Sequence, residues 1–207
     1  MPLNRATDVL AAGASYFTAN NVVTGVATAA APTSYSDTAP FITIQNLGTT
    51  QRSIYLDWWR FYCTVAGTGG VALFLKMTLD RVAPTGGTLL VPSSANTNDF
   101  TGSNAAIRLV PTGIANTSNV RIVVGNQWVI PTQTAVFTVN TEVGIKFGGV
   151  DGYATTQLAA AAAGLTRTQA QMPPIVIAPG WTLQVPFIMT SQSAASTWAH
   201  EFGWAEY

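Results

Sequence analysis

The strongest constraint on folding lies in the alternation of the stretch from Pro174 to Tyr207. Pro179-Gly180 is a type II turn signal: Pro presets its φ, and Gly takes the positive φ that follows. After that turn the odd positions Trp181, Leu183, Val185, Phe187 and Met189 are all apolar. Beyond a small-residue turn, Trp198, Phe202 and Trp204 fall on one face together with His200 and Glu206. A period of two is the mark of a strand with one buried face. The alternation runs almost to Tyr207, which predicts that the last segment is paired inside a sheet.

The same pattern recurs upstream. Phe41-Ile-Thr-Ile-Gln45 reads as a strand. Ile54, Leu56 and Trp58 alternate with Tyr55, Asp57 and Trp59, and Val71, Leu73, Leu75, Met77 and Leu79 alternate with Ala72, Phe74, Lys76, Thr78 and Asp80. The Gly-rich loop 66–70 between them predicts a hairpin. Pairing Tyr62 with Val71 sets Trp58 against Leu75, Leu56 against Met77 and Ile54 against Leu79 on a core face. Trp59 then faces Phe74 and Asp57 faces Lys76 on the other face, as favourable cross-strand pairs.

Residues 83–105 are loop-like, with a short strand over 87–91. Further strands are predicted at 107–110, 120–124, 128–130, 135–139 and 143–147, with Pro131 at a strand edge or bulge and a turn over 148–152. Ala159 to Ala163 is a candidate helix or a small-residue loop. No repeat of fixed period is present. Nine or ten short strands with frequent turn signals point to an all-β, antiparallel β-sandwich, jelly-roll-like, with two four-stranded sheets face to face. The expected organisation is an extended N-terminal arm over 1–38 and a single β-sandwich domain over 39–207. The arm is rich in Ala, Thr, Ser and Asn, and is expected to order against a neighbouring subunit.

Charge narrows the function. The 207 residues carry 9 Lys plus Arg and 9 Asp plus Glu, so charged residues make up only 9%, against about 25% in an ordinary domain. Such a neutral surface offers little self-repulsion and favours association; a monomer with a hydroxyl-rich surface is the alternative. The basic residues are scattered singly, which argues against direct nucleic-acid binding. Cys63 is the single cysteine, so neither an intrachain disulfide nor a Cys-based metal site is expected. No run approaches the ~18 apolar residues of a spanning helix, and the first residues lack the basic and apolar regions of a secretory signal. Synthesis in a cytoplasm is therefore expected, with no membrane partner.

No stretch carries recognisable catalytic chemistry, and no catalytic, cofactor-binding or metal residue is assigned. His200 is the only histidine, and its neighbour Glu201 falls on the opposite face of the strand, so the two do not form the base–carboxylate pair of a hydrolase. Asp99, Glu142 and Asp151 are possible cation ligands, but Asp151 reads better as a turn residue and no calcium-type acidic loop is present. Gly67 to Gly70 lacks the Lys and following helix of a phosphate cradle. Asn116-Thr-Ser118 matches a glycosylation acceptor by chance. Trp58, Trp181 and Trp198 sit on apolar faces and are expected in the core. Trp59, Trp128 and Trp204 are the candidates for exposed rings that stack on sugars.

The strand Ile175-Val-Ile-Ala, its Pro179-Gly180 turn and the terminal Trp198-Ala-His-Glu-Phe-Gly-Trp-Ala-Glu-Tyr207 resemble the C-terminal ends of small structural proteins of tailed bacteriophages. Those are capsid decoration or head-fibre-like proteins with a sandwich or jelly-roll body, and the resemblance covers the last 35 residues or so. It implies a non-enzymatic virion structural protein made in the host cytoplasm. It would sit on the capsid surface as a homo-oligomer, a trimer being favoured, with the major capsid protein as partner and no cofactor. A receptor- or carbohydrate-binding module of a tail fibre is the alternative, followed by a jelly-roll capsid subunit.

Overall fold

Pairing between distant strands builds most of the described protein; of the strands consecutive in the chain, only Thr156–Ala160 and Leu165–Met172 pair with each other. The computed structural model describes residues 15–21, 29–30, 40–67, 72–95, 102–109, 122–130, 139, 141–148, 156–160, 165–190 and 196–207. Among them there is no helix, and the strands, numbered β1 to β16 in chain order, form two sheets packed face to face as a β-sandwich.

The first sheet has nine strands. They are β1 (Ser15–Asn20), β2 (Ala29–Ala30), β4 (Ile54–Val65), β7 (Ser93–Ser94), β10 (Glu142–Phe147), β11 (Thr156–Ala160), β12 (Leu165–Met172), β13 (Val176–Ile177) and β16 (Thr197–Glu206). Their order is β11-β12-β10-β4-β16-β1-β7, with β13 also on β4 and β2 also on β16. The second sheet has seven: β3 (Ile42–Asn46), β5 (Ala72–Asp80), β6 (Thr88–Leu90), β8 (Ala105–Leu109), β9 (Ile122–Ile130), β14 (Thr182–Val185) and β15 (Phe187–Thr190). Their order is β15-β5-β14-β3-β8-β6, with β9 also on β5. The ladders are antiparallel except β10–β12, which is parallel. The sandwich is as expected from the alternation, but the sheets are larger than four strands each.

β4 and β16 form the spine of the first sheet. They pair over the whole of β16, with two register shifts that leave Asp57 and Thr64 as extra residues on β4. An extra residue reverses which face the following side chains occupy. Inward pairs are therefore Ile54–Glu206 and Leu56–Trp204 before the first bulge, then Trp59–Phe202, Phe61–His200 and Cys63–Trp198 after it. Outward pairs are Tyr55–Ala205, Trp58–Gly203, Arg60–Glu201 and Tyr62–Ala199. The opposite sheet meets this ladder with Ile42, Ile44, Leu75, Met77, Leu90, Ile107, Leu109, Leu183 and Val185, all buried in one continuous core.

The expected hairpin does not form. β4 pairs with β16, β10 and β13, whereas β5 lies in the other sheet and pairs with β9, β14 and β15. None of the cross-strand pairs between 54–62 and 71–79 exists. The reason is the bulge at Asp57: strict alternation across it would turn Trp59 and Phe61 outward, and pairing with β16 buries both. Leu75 and Met77 are core residues as expected, but Trp58 is not.

Two further expectations change. Thr156–Ala160 is a strand paired with β12, so the candidate helix at 159–163 is not one over its described part. The stretch 120–124 and the stretch 128–130 belong to one strand, β9, over their described part. Within the expected arm, Ser15–Asn20 is an integral strand of the sheet, between β16 and β7. Phe17 is buried and stacks on Trp204 at 5.9 Å between ring centroids. Tertiary pairing supplies the order that this segment's composition does not.

Candidate functional site

Four places in the fold hold concentrated polar or aromatic chemistry. The first is the turn after β13. Gly180 takes φ of +75°, and Trp181 N donates to Ala178 O at 3.0 Å, closing the turn that Pro179-Gly180 predicts. The guanidinium of Arg81 stands 5.0 Å from the Trp181 ring centroid, a cation–π contact on a half-buried indole.

The second is the aromatic interior around His200. Its ring is fully buried among Phe41, Trp59, Phe61 and Phe202, with centroids 5.4–6.5 Å away. Trp59 Nε1 donates to His200 Nδ1 at 3.3 Å, which places the ring proton on Nε2 in the neutral tautomer. Burial pushes the imidazole down to about 3, because the charged form loses its hydration. This histidine is neutral at physiological pH and is enclosed by hydrocarbon. Beside it, burial pushes the Cys63 thiol up to about 11, so it is not a nucleophile at neutral pH.

The third is a polar knot at the end of β16. The buried Glu206 carboxylate accepts from Ser103 Oγ at 2.6 Å, Asn104 N at 3.0 Å and Trp204 Nε1 at 3.0 Å. Asn104 bonds in turn to Thr49 and Thr50 through its amide, and its carbonyl accepts from Leu47 N at 2.9 Å. Asn46 Nδ2 donates to Ile177 O at 2.9 Å and to Arg52 O at 2.8 Å. Ser53 and Tyr207 exchange backbone bonds at 2.8 and 3.2 Å. Every one of these groups satisfies another, so the knot binds three loops and the last strand together.

The fourth lies on the outer face of the first sheet. The Trp58 indole lies across Gly203, where an added Cβ would stand 2.3 Å from Nε1. Only a residue without a side chain fits there. Trp58 Nε1 donates to Tyr16 Oη at 2.8 Å, and Tyr16 Oη donates to Asp57 Oδ2 at 3.0 Å. Burial, then the Asp57 carboxylate, hold the Tyr16 hydroxyl well above the usual phenol range. One row along the sheet, Arg60 Nε donates to Glu201 Oε2 at 2.9 Å and Arg60 Nη2 also meets that oxygen. Two residues further on, Tyr62 is raised by burial and by Glu201, with Arg60 opposing.

The sequence candidates separate accordingly. His200 and Glu201 occupy opposite faces of β16, one in the core and one paired with Arg60. Glu142 is half-buried on β10 opposite Tyr62. Asp99, Asp151 and Asn116 to Ser118 lie outside the described residues, as do residues 68–70 of the glycine loop. Among the described residues no group of three or more His, Cys, Asp or Glu could hold a metal ion. Of the candidate sugar-stacking rings, Trp59 and Trp204 are core residues at 2% and 0% exposure, and the side chain of Trp128 lies outside the described residues. Trp58 and Trp181, expected inside, are the half-exposed ones. The signal for Trp58 is Arg60: a charge at the next even position of a run whose even positions are apolar marks a reversal of phase, and so a bulge, upstream of it.

No protein family, curated protein or solved structure matches this chain.

Proposed function

We propose that the chain is a non-enzymatic structural subunit of a virion, of the capsid decoration kind, that works by packing against copies of itself and against a capsid shell. The observation that supports this reading is the character of the second sheet's outer strands. β6, at the end of that sheet's order, is Thr88-Leu-Leu90 and is followed by Val91; Leu89 and Val91 stand 51% and 78% exposed. On β9, Ile122 and Val123 are 51% and 55% exposed. Sheet edges in free-standing proteins are blunted with charges, Pro or bulges. Pro92 follows Val91 and β9 carries two register shifts against β5, but neither stretch carries a charge, and exposed apolar side chains of this kind are stabilised by burial against another subunit.

The proposal carries the jelly-roll wiring, the oligomer, with a trimer favoured, and the major capsid protein as partner. It involves no direct contact with nucleic acid or membrane. Cement of this kind needs no catalytic group: it stabilises shell and subunit together by mass action. The test is whether the chain travels with particles. Virions purified through a density gradient should contain it, and a serum raised against the folded protein should label intact particles under the electron microscope. A chain absent from purified particles contradicts the proposal.

A further inference from the structure

The outer face of the first sheet has a composition that the structural role does not require. At consecutive outward positions of β4, two residues apart, stand Trp58, Arg60 and Tyr62. With about 3.4 Å per residue, the three are spaced by roughly 7 Å along the strand. Across the ladder, β16 presents Gly203, Glu201 and Ala199 at the same levels. β10 presents Lys146, Gly144 and Glu142. Gly144 leaves a low floor opposite Arg60, and the place over Gly203 is taken by the Trp58 indole itself.

Two features make this face specific. The first is a fixed ring. Trp58 is half-buried, tied through its N–H to Tyr16 and through Tyr16 to Asp57, so little rotamer freedom remains to be lost on binding. The second is a paired planar donor and acceptor. Both contacts of Arg60 converge on Oε2 of Glu201. Among the described residues, Glu201 Oε1 and Arg60 Nη1 make no other bond, and these side chains are 19% and 44% exposed. One acceptor and one donor therefore face outward side by side, next to an indole.

We propose that this face is a carbohydrate subsite for a neutral sugar. The apolar C–H face of a pyranose ring packs on the Trp58 indole. Two adjacent hydroxyls engage the pair, one donating to Glu201 Oε1 and its neighbour accepting from Arg60 Nη1. Arg60 and Glu201 cancel each other, Lys146 and Glu142 on the neighbouring strand are one charge of each sign, and Asp57 is bonded by Tyr16, so the subsite favours an uncharged ligand over an acidic or a basic one. Tyr62, on the far side of Arg60, offers a second ring for the next sugar unit. The subsite is independent of whether the chain resides in a virion.

The test is calorimetric titration of the full chain with neutral glucose, mannose and galactose oligosaccharides, followed by tryptophan fluorescence. At least one series should bind. Trp58→Ala should weaken that binding by about tenfold or more, the usual scale for an aromatic anchor. Arg60→Ala, at an exposed position that leaves the core untouched, should weaken it by a similar factor. Trp181→Ala, on a different surface, should leave it unchanged. Circular dichroism confirms that each variant is folded, and Arg60→Ala decides the matter if Trp58→Ala is not. Failure of every oligosaccharide to bind overturns the proposal, as does binding unchanged by Arg60→Ala. Loss of self-association in Arg60→Ala without any sugar binding would assign the face to a second copy of the chain and also overturn it.

Discussion

At the scale of single residues, one bulge decides the chemistry of the molecule. Trp58 and Trp59 are neighbours, and simple alternation from Ile54 sends Trp58 inward. The extra residue at Asp57 reverses them, so Trp59 enters the core against Phe202 and Trp58 lies outside over Gly203. Trp59→Ala should therefore cost ~3–5 kcal/mol, the range for a large buried aromatic. Trp58→Ala should cost only ~1–2 kcal/mol. Urea denaturation of the two variants checks this, and the reverse ranking would mean the bulge is misplaced. His200 supplies a pH test. The unfolded imidazole titrates near ~6.5, while burial lowers the folded value to about 3. Between those values the unfolded chain binds more protons, so stability should fall as pH drops through that window and be flat above it. The slope is at most ~1.4 kcal/mol per pH unit. His200→Phe should remove that part of the slope, leaving the carboxylate contribution, and parallel urea melts from neutral pH downward measure the difference.

At the scale of elements, strands were legible and their partners were not. The alternation in 181–185 and 198–206 and the Pro179-Gly180 turn carry their own evidence, because burial face and turn chemistry are local properties. Pairing depends on which distant strand buries the most surface, and the short separation between β4 and β5 misleads: the chain crosses there from one sheet to the other. β1 shows the same effect. Its composition reads as an unanchored arm, yet Phe17 and Ala19 are buried against β16. Deleting Met1 to Ser34 should therefore abolish cooperative thermal unfolding, since it removes β1 and uncovers one side of β16. A truncated chain with an unchanged melting transition would restore the arm. Glu206 ties the other end of β16. Replacing it with Ala would leave the Trp204 indole N–H, Ser103 Oγ and the Asn104 amide without their acceptor, at a cost of ~2–4 kcal/mol. Thermal unfolding of Glu206→Ala should show a correspondingly lower midpoint, and an unchanged one would mean water replaces the carboxylate. Little in Trp-Ala-Glu-Tyr foretells that knot, because beside the local Trp204 its donors Ser103 and Asn104 come from a loop 103 and 102 residues away in sequence.

At the scale of the whole molecule, the described interior holds its ionisable groups in structural roles. The only histidine is neutral in an aromatic core, the cysteine is a buried thiol, and the buried carboxylate of Glu206 is consumed by structure. The surface combines apolar strands at β6 and β9, an aromatic end formed by Tyr55, Tyr207 and Val176, and a net charge of zero. Such a surface is suited to contact, and contact with copies of itself is what we propose. Sedimentation equilibrium of the purified full chain at micromolar concentration in physiological salt tests it most directly. A stable multiple of the 21.8 kDa protomer is expected, with three copies favoured and little dependence on salt. A single species at the protomer mass would contradict it.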